Sequence, residues 1–223
     1  MSAASPSRPG IVGRFRSRQS GHPSGLVGRL FGRAMVKDTA DANDRALELL
    51  DLTQPSTVLE IGFGQGRSAA ILLGHGHHLL GVDPSPTMVK QATARNRAAC
   101  RDGRAILRRG DGITIPFPSH SADAALTVHT LYFMPDPLAT LTDVSRVLRP
   151  GGCVVVACRT SDAPLPAWMD PDIYRVPTAR QLIDMLHSAG LQRVDHRVID
   201  DATHPLHLFA AHTARCAATR DPT

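Results

Sequence analysis

Residues Thr57–Gly66 read TVLEIGFGQG. The opening five side chains are apolar or β-branched apart from Glu60, the composition of a strand covered on both faces. Gly62, Gly64 and Gly66 follow at alternate positions, and Gln65–Leu73 then carries a helical pattern closed by Gly74. Glycine lets the backbone turn sharply and approach a ligand closely, and the helix that follows offers free N–H groups to an anion. Alone, such a strand, loop and helix fits NAD, FAD or another nucleotide. The dinucleotide fingerprint G-x-G-x-x-G needs glycine at position 67, where the chain has Arg67, and no Gly-Lys-Ser/Thr follows. The spacing here is G-x-G-x-G.

The pattern alternates outward from this unit. His78–Asp83 is a second strand, and Pro84–Ala99 a helix with Ser85 as N-cap. Ala105–Arg109 and Asp123–Val128 are strands three and four. Pro137–Leu148 is a helix stopped by Pro150-Gly151-Gly152, and Cys153–Cys158 is a fifth strand, apolar throughout. A Pro- and Asp-rich loop, Thr160–Pro177, precedes a helix over Thr178–Ala189 and two last strands, Leu191–Val198 and Leu206–His212. Upstream, Gly28–Asp51 has helical character, ending near Pro55. Strands alternating with helices specify an α/β, doubly wound and mostly parallel sheet. Ligands of such sheets bind at the carboxyl ends of the strands, so the chemistry belongs to the loops after the first four.

Two acids fall at such ends. Asp83 closes the second strand, placed to accept from both hydroxyls of a ribose; it also precedes Pro84, so capping the next helix is the plainer alternative. Asp111-Gly112 follows the third strand, where a carboxylate suits an exocyclic adenine amine or simply a turn. Three such pieces at successive strand ends are more specific than any one.

Together these stretches resemble the class I S-adenosylmethionine (SAM) dependent methyltransferases of the small-molecule, UbiE-like type (methyltransferase type 11). The resemblance is carried by VLEIGFGQG (58–66), GVDPSPTMV (81–89), GDGITIPFPSHSADAALTVHTLYFMPDP (110–137) and VLRPGG (147–152), and it covers the chain from Thr57 on. It implies a seven-stranded Rossmann-like sheet whose last strand is antiparallel, with SAM as cofactor. By position, Glu60, Gly62 and Gly64 would line the methionine end of SAM and Asp83 would hold the ribose. Asp111 and the Gly112 amide would read adenine between the apolar walls Met88 and Ile113. Gly66 and Pro84 complete the expected cofactor set.

The loop after the fourth strand, Val128-His129-Thr130-Leu131-Tyr132-Phe133, then faces the acceptor. His129 is the candidate general base, with a near-neutral pKa, or else a group that only shapes the pocket. Methyl transfer from a sulfonium often needs no base, since positioning supplies much of the rate. Tyr132, Arg159 and Trp168 are the other candidate acceptor contacts, and Thr160–Pro177 with the Gly28–Asp51 helix forms the expected roof.

The chain has 223 residues and 42% hydrophobic content, enough for one core, and no apolar run long enough to span a membrane. The expected organisation is a basic mobile tail over 1–24, one domain over 25–216 with cap helices at 28–51, and a short tail over 217–223. The net charge of +5 is concentrated in that first tail, with Arg8, Arg14, Arg16 and Arg18 and no acid, so the body is near neutral. This leaves a peripheral contact with an anionic membrane open and argues against nucleic acid. The Asn/Asp-Pro-Pro-Tyr/Phe element that base-modifying enzymes of this fold often carry is absent after the fourth strand. Four cysteines without a C-x-x-C pair fit free thiols in the cytoplasm. Cys153 and Cys158 alternate faces of one strand, against a shared thiol site for arsenic. His75, His77 and His78 lie at the wrong end of the sheet for catalysis, and no metal is expected. The reading is methyl transfer to a small-molecule acceptor. Its alternatives are a SAM-binding protein without catalysis, or methylation of a membrane-associated lipid or quinone.

Overall fold

The computed structural model describes residues 9–21, 39–199 and 204–215. Seven strands form one sheet: β1 Thr57–Ile61, β2 His78–Asp83, β3 Ala105–Arg109, β4 Ala122–Val128, β5 Leu148–Cys158, β6 Gln192–Ile199 and β7 Leu206–His212. Their order is β3-β2-β1-β4-β5-β7-β6, with the first five parallel and β7 antiparallel to both its neighbours. The chain winds from β1 out to β3, then returns to β4 on the other side of β1. That reversal opens a crevice at the carboxyl ends of β1 and β4.

The described helices are α1 Ile11–Gly21, α2 Ala40–Leu50, α3 Arg67–Gly74, α4 Pro86–Arg95, α5 Arg97–Arg101, α6 Pro137–Val147 and α7 Ala179–Ser188. Three starts are fixed by local chemistry. Ser85 Oγ accepts from Met88 N–H and Asp136 Oδ1 from Ala139 N–H, each ahead of a helix-opening proline, while Thr178 and Gln181 form a reciprocal capping box. On one face of the sheet, Leu59, Ile61 and Val156 pack against Leu141, Val144, Leu182 and Leu186 of α6 and α7. On the other, Val58, Leu126 and Val155 meet the α2 stripe Ala42, Ala46 and Leu50 and Leu72 of α3. Cys158 belongs to the first face and Cys153 to the second.

Three boundaries differ from the sequence reading. The helix expected over Pro84–Ala99 is broken at Asn96, whose Nδ2 donates to the Gly66 and Ala92 carbonyls at 3.3 and 3.0 Å. An amide occupied in fastening the glycine loop competes with helix continuation. The fifth strand begins at Leu148, not Cys153, because Leu148 already pairs with Ala122. The register then jumps across the Pro-Gly-Gly segment to Ala124↔Cys153. Leu131–Phe133 forms a 3₁₀ turn that periodicity did not reveal.

The basic tail is the main correction. Within the expected mobile stretch 1–24, residues 11–21 form α1, which is seated on the loop between β5 and α7. Ser17 is fully buried: its Oγ donates to the Trp168 carbonyl at 2.8 Å and accepts from the Asp170 N–H at 3.0 Å. Arg14 pairs with Asp170 at 3.0 Å, and the Arg16 guanidinium lies 4.0 Å from the centre of the Trp168 ring. Composition misled because it measures apolar burial, whereas α1 docks through hydrogen bonds, an ion pair and a stacked guanidinium. Residues 28–38 of the expected cap helix and the tail over 217–223 lie outside the described residues; Ala40–Leu50 is helical.

Ser17→Ala would leave a buried carbonyl and N–H without partners, costing about 1–3 kcal/mol of α1 docking. The expected result is faster amide exchange at Asp170 and altered emission from Trp168, the single tryptophan. Unchanged exchange at Asp170 would show that α1 is not held by Ser17.

Candidate functional site

A cleft opens where β1, β2 and β4 end. Its walls are Glu60, Gly62 and Gly64 from β1 and its loop, Asp83, Pro84 and Met88 after β2, Asp111 after β3, and His129 after β4. Eight of the residues expected from the sequence are therefore brought to one cavity. Gly66, Gly112, Ile113, Tyr132, Arg159 and Trp168 are not on its wall.

Two buried carboxylates organise the β1–β2 side of the cleft. Asp83 Oδ2 accepts from the Gly64 N–H and Oδ1 from the Ser85 N–H, both at 2.9 Å, so one side chain ties the glycine loop to the start of α4. Burial pushes its carboxyl up to about 6 against the opposing pull of these two donors. Glu60 is 3% exposed; its Oε1 accepts from Ser68 Oγ, and its Oε2 is buried with no hydrogen-bond partner. Burial pushes the Glu60 carboxyl up to about 7, with Ser68 pulling it down and the Asp83 charge raising it further.

The glycines divide the work of the loop. Gly62 has φ +75°, and a Cβ there would collide with the Thr130 side chain. Gly64 has φ +52° with open space where a Cβ would stand, on the cleft wall. Gly66, with φ +72°, instead packs against Ala92 and Asn96 and supports the loop from behind. Asp111 Oδ1 accepts from the N–H groups of Ile113 and Thr114 at 2.9 and 3.1 Å, so the turn function weighed from sequence is present in a residue that also lines the cleft.

On the β4 side of the cleft, His129 sits in the left-handed region at φ +53°, an uncommon conformation for a non-glycine residue. Its Nδ1 is 2.7 Å from the Tyr132 hydroxyl. Burial, with the Arg159 charge adding to it, pushes the imidazole down to about 4, not the near-neutral value expected from sequence. Burial holds the Tyr132 phenol well above its ordinary value, so it stays protonated. Tyr132 stands behind His129, meeting Phe133 edge to face and Tyr174 at a tilt, with ring centres 5.1 and 5.3 Å away. Arg159 donates to the His204 carbonyl at 2.7 Å. Trp168 lies under α1, so the long loop braces the His129 side of the cleft from outside.

Several wall residues were not read from the sequence. Ser68 is the second residue of α3, within hydrogen-bond reach of Glu60, a placement that helix spacing after Gly66 could have flagged. Met134 and Pro135 continue the His129 loop beyond Phe133, which the sequence reading places in the loop facing the acceptor and which is on the wall. Thr39 and Asn43 come from the Gly28–Asp51 segment expected to roof the pocket, whereas Ser20 arrives from α1 and Arg67 is fixed by both oxygens of Asp44 at 2.8 and 2.9 Å. These are long-range contacts with no local signature. His77, from the histidine cluster, accepts from the Ser56 N–H at 3.2 Å at the opposite end of the sheet.

A methyltransferase domain family matches residues 59–156. The O-methyltransferase resE of Aspergillus sclerotiorum is 26% identical over 160 residues, covering 68% of this chain and 61% of its own. A demethylmenaquinone methyltransferase of Tropheryma whipplei (strain Twist) is 37% identical over 111 residues, covering 50% and 45%. Over residues 59–156 the chain is similar to the class I SAM-dependent methyltransferases. It spans less than two thirds of the length of these two relatives. Among solved structures, the [4+2]-cyclase SpnF superposes with a TM-score of 0.68 at 18% identity, covering 92% of this chain and 96% of that one, which establishes the shared fold.

The cleft thus carries a buried acid with one unpartnered oxygen, with a measurable consequence. A carboxyl raised to about 7 in the folded state and near 4.5 in the unfolded state binds more protons when folded between those values. Its contribution is therefore lost as pH rises from about 4.5 to 7, by up to about 3 kcal/mol. Ligand-free Glu60→Gln should melt higher than wild type at pH 8, with the difference vanishing towards pH 4.5. A variant less stable than wild type at pH 8 would show that the ionised acid is internally compensated.

Proposed function

We propose that this chain transfers a methyl group from SAM to a hydroxyl of a small, uncharged acceptor. The observation that carries the reading is His129, held neutral on the acceptor wall and hydrogen-bonded to Tyr132. The buried, unpartnered Oε2 of Glu60 fits the cofactor's cationic amino-acid end, Asp83 fits the ribose hydroxyls, and Asp111 with Met88 fits the adenine. Gly112 and Ile113, off the cleft wall, would serve through the backbone and by packing. When bound, SAM supplies an electrophilic methyl group on a sulfonium.

The chain's own groups then place the acceptor and take its proton. Phe133 and Met134 offer apolar surface, and the nearby Arg67 charge is already neutralised by Asp44. With the imidazole proton on Nδ1, the ring donates to the Tyr132 oxygen and Nε2 keeps a free lone pair. An imidazole with a pKa of about 4 is a weak base. It suffices because an oxygen that has gained a methyl group while keeping its proton is far more acidic than any imidazolium. Relatives named as O-methyltransferases support the hydroxyl class, while the demethylmenaquinone relative keeps a quinone-type acceptor as the second reading. A cyclase on the same fold shows why turnover, and not fold, must be measured.

SAM binding by calorimetry at pH 7 should release a proton, seen as a binding enthalpy that varies with the buffer's ionisation enthalpy, because a cationic ligand favours ionised Glu60. Asp83→Ala should weaken binding about tenfold or more. Binding of NADH in place of SAM would refute the cofactor assignment.

For the acceptor step, His129→Gln should lower kcat about 10²–10⁴-fold with SAM affinity retained. Wild-type activity should be flat in its His129 dependence between pH 6 and 8 and fall only as pH approaches about 4. Loss confined to the acceptor's KM would make His129 a positioning group only. A methyl-transfer screen over phenols, alcohols and quinols with mass detection identifies the acceptor class.

A further inference from the structure

We propose that the outer face of α1 is a docking surface for an anionic phospholipid bilayer. The helix has two unlike sides. Gly13, Ser17 and Ser20, at spacings of four and three, face the protein: a Cβ on Gly13 would lie 3.5 Å from the Trp168 backbone, Ser17 is buried, and Ser20 reaches the cleft wall. On the opposite side Val12 is 82% exposed and Phe15 49% exposed, with Arg18 exposed beside them. Arg14 and Arg16 flank this strip, the first paired with Asp170 and Asp172, the second stacked on Trp168. Leaving Val12 and Phe15 in water while small polar residues are buried is the reverse of what packing against the domain alone would favour.

Charge selects the occupant. The 37 residues before Asp38 hold seven basic side chains and no acid, so the remaining chain has 18 bases against 20 acids. A second copy of the chain would bring like charges together. A nucleic acid would satisfy the arginines but leave Val12 without an apolar partner. A bilayer with anionic headgroups takes both, with apolar side chains at the acyl boundary and guanidinium groups among phosphates. So docked, α1 is the wall between the bilayer and the cleft to which Ser20 contributes. The proposal does not depend on the identity of the acceptor.

The test is co-sedimentation of the full chain with vesicles of phosphatidylcholine, with and without about one third phosphatidylglycerol. Binding to the anionic vesicles alone, weakened by about 0.5 M salt, is expected. Each cation near such a surface is worth about fivefold in partition, so Arg18→Glu should lower binding by at least about that factor, and Val12→Ser and Phe15→Ser should each lower it further. Trp168 emission reports that α1 stays seated in each variant, and Val12, the most exposed, is the control least able to disturb folding. Equal binding to both vesicle types, or anionic binding indifferent to Val12→Ser and Phe15→Ser, overturns the proposal. Displacement of bound vesicles by a single-stranded oligonucleotide, with Phe15→Ser without effect, would assign the face to nucleic acid instead.

Discussion

The Asp83 carboxylate is shared between the backbone N–H groups of Gly64 and Ser85, and the cleft is built around that shared charge. One bond holds the glycine loop after β1, and the other sets the first turn of α4. Phe63 and Met88 are buried beside these two turns, and the acid at the end of β2 adds the polar tie between them. Glu60 stands on the neighbouring strand, in register with Gly81, and adds a second buried carboxylate whose outer oxygen has no partner. Burying two acids near each other costs stability at neutral pH. The cost is concentrated where a cationic, hydroxyl-rich ligand would offset it, as expected when polar groups are kept for binding and not for folding.

The His129 side of the cleft is built differently, from aromatic contact and backbone strain. His129 adopts a left-handed conformation directly after β4, its N–H donating to the Ala157 carbonyl at 2.8 Å. Tyr132 is in contact with Phe133 and Tyr174, and Tyr174 with Trp168, on which Arg16 lies. A continuous line of rings therefore connects His129 to α1. The loop between β5 and α7 serves as the brace in that line: Arg175 donates to the Met134 carbonyl at 3.1 Å and its N–H to the Tyr132 carbonyl at 3.0 Å. Displacing α1 would loosen the support of the His129 wall without touching either carboxylate.

The sequence by itself determined the strands and their winding, because TVLEIG, HLLGVD and CVVVAC are apolar runs bounded by glycine, proline and acids, and period and punctuation are local properties. It also placed Glu60, Gly64, Asp83, Asp111 and His129 at the cleft, since in a doubly wound sheet the ends of successive strands converge at one edge. Only the tertiary structure decided the rest. Whether His129 is neutral or titrates near pH 7 depends on how deeply it is buried and on Arg159, thirty residues away. Whether Arg67 is free or neutralised depends on Asp44 of α2. Whether residues 11–21 are a tail or a helix depends on the Trp168–Asp170 loop, more than 150 residues along the chain. Burial, charge pairing and docking are set by what arrives from elsewhere in the chain, and a local pattern of residues carries no record of that.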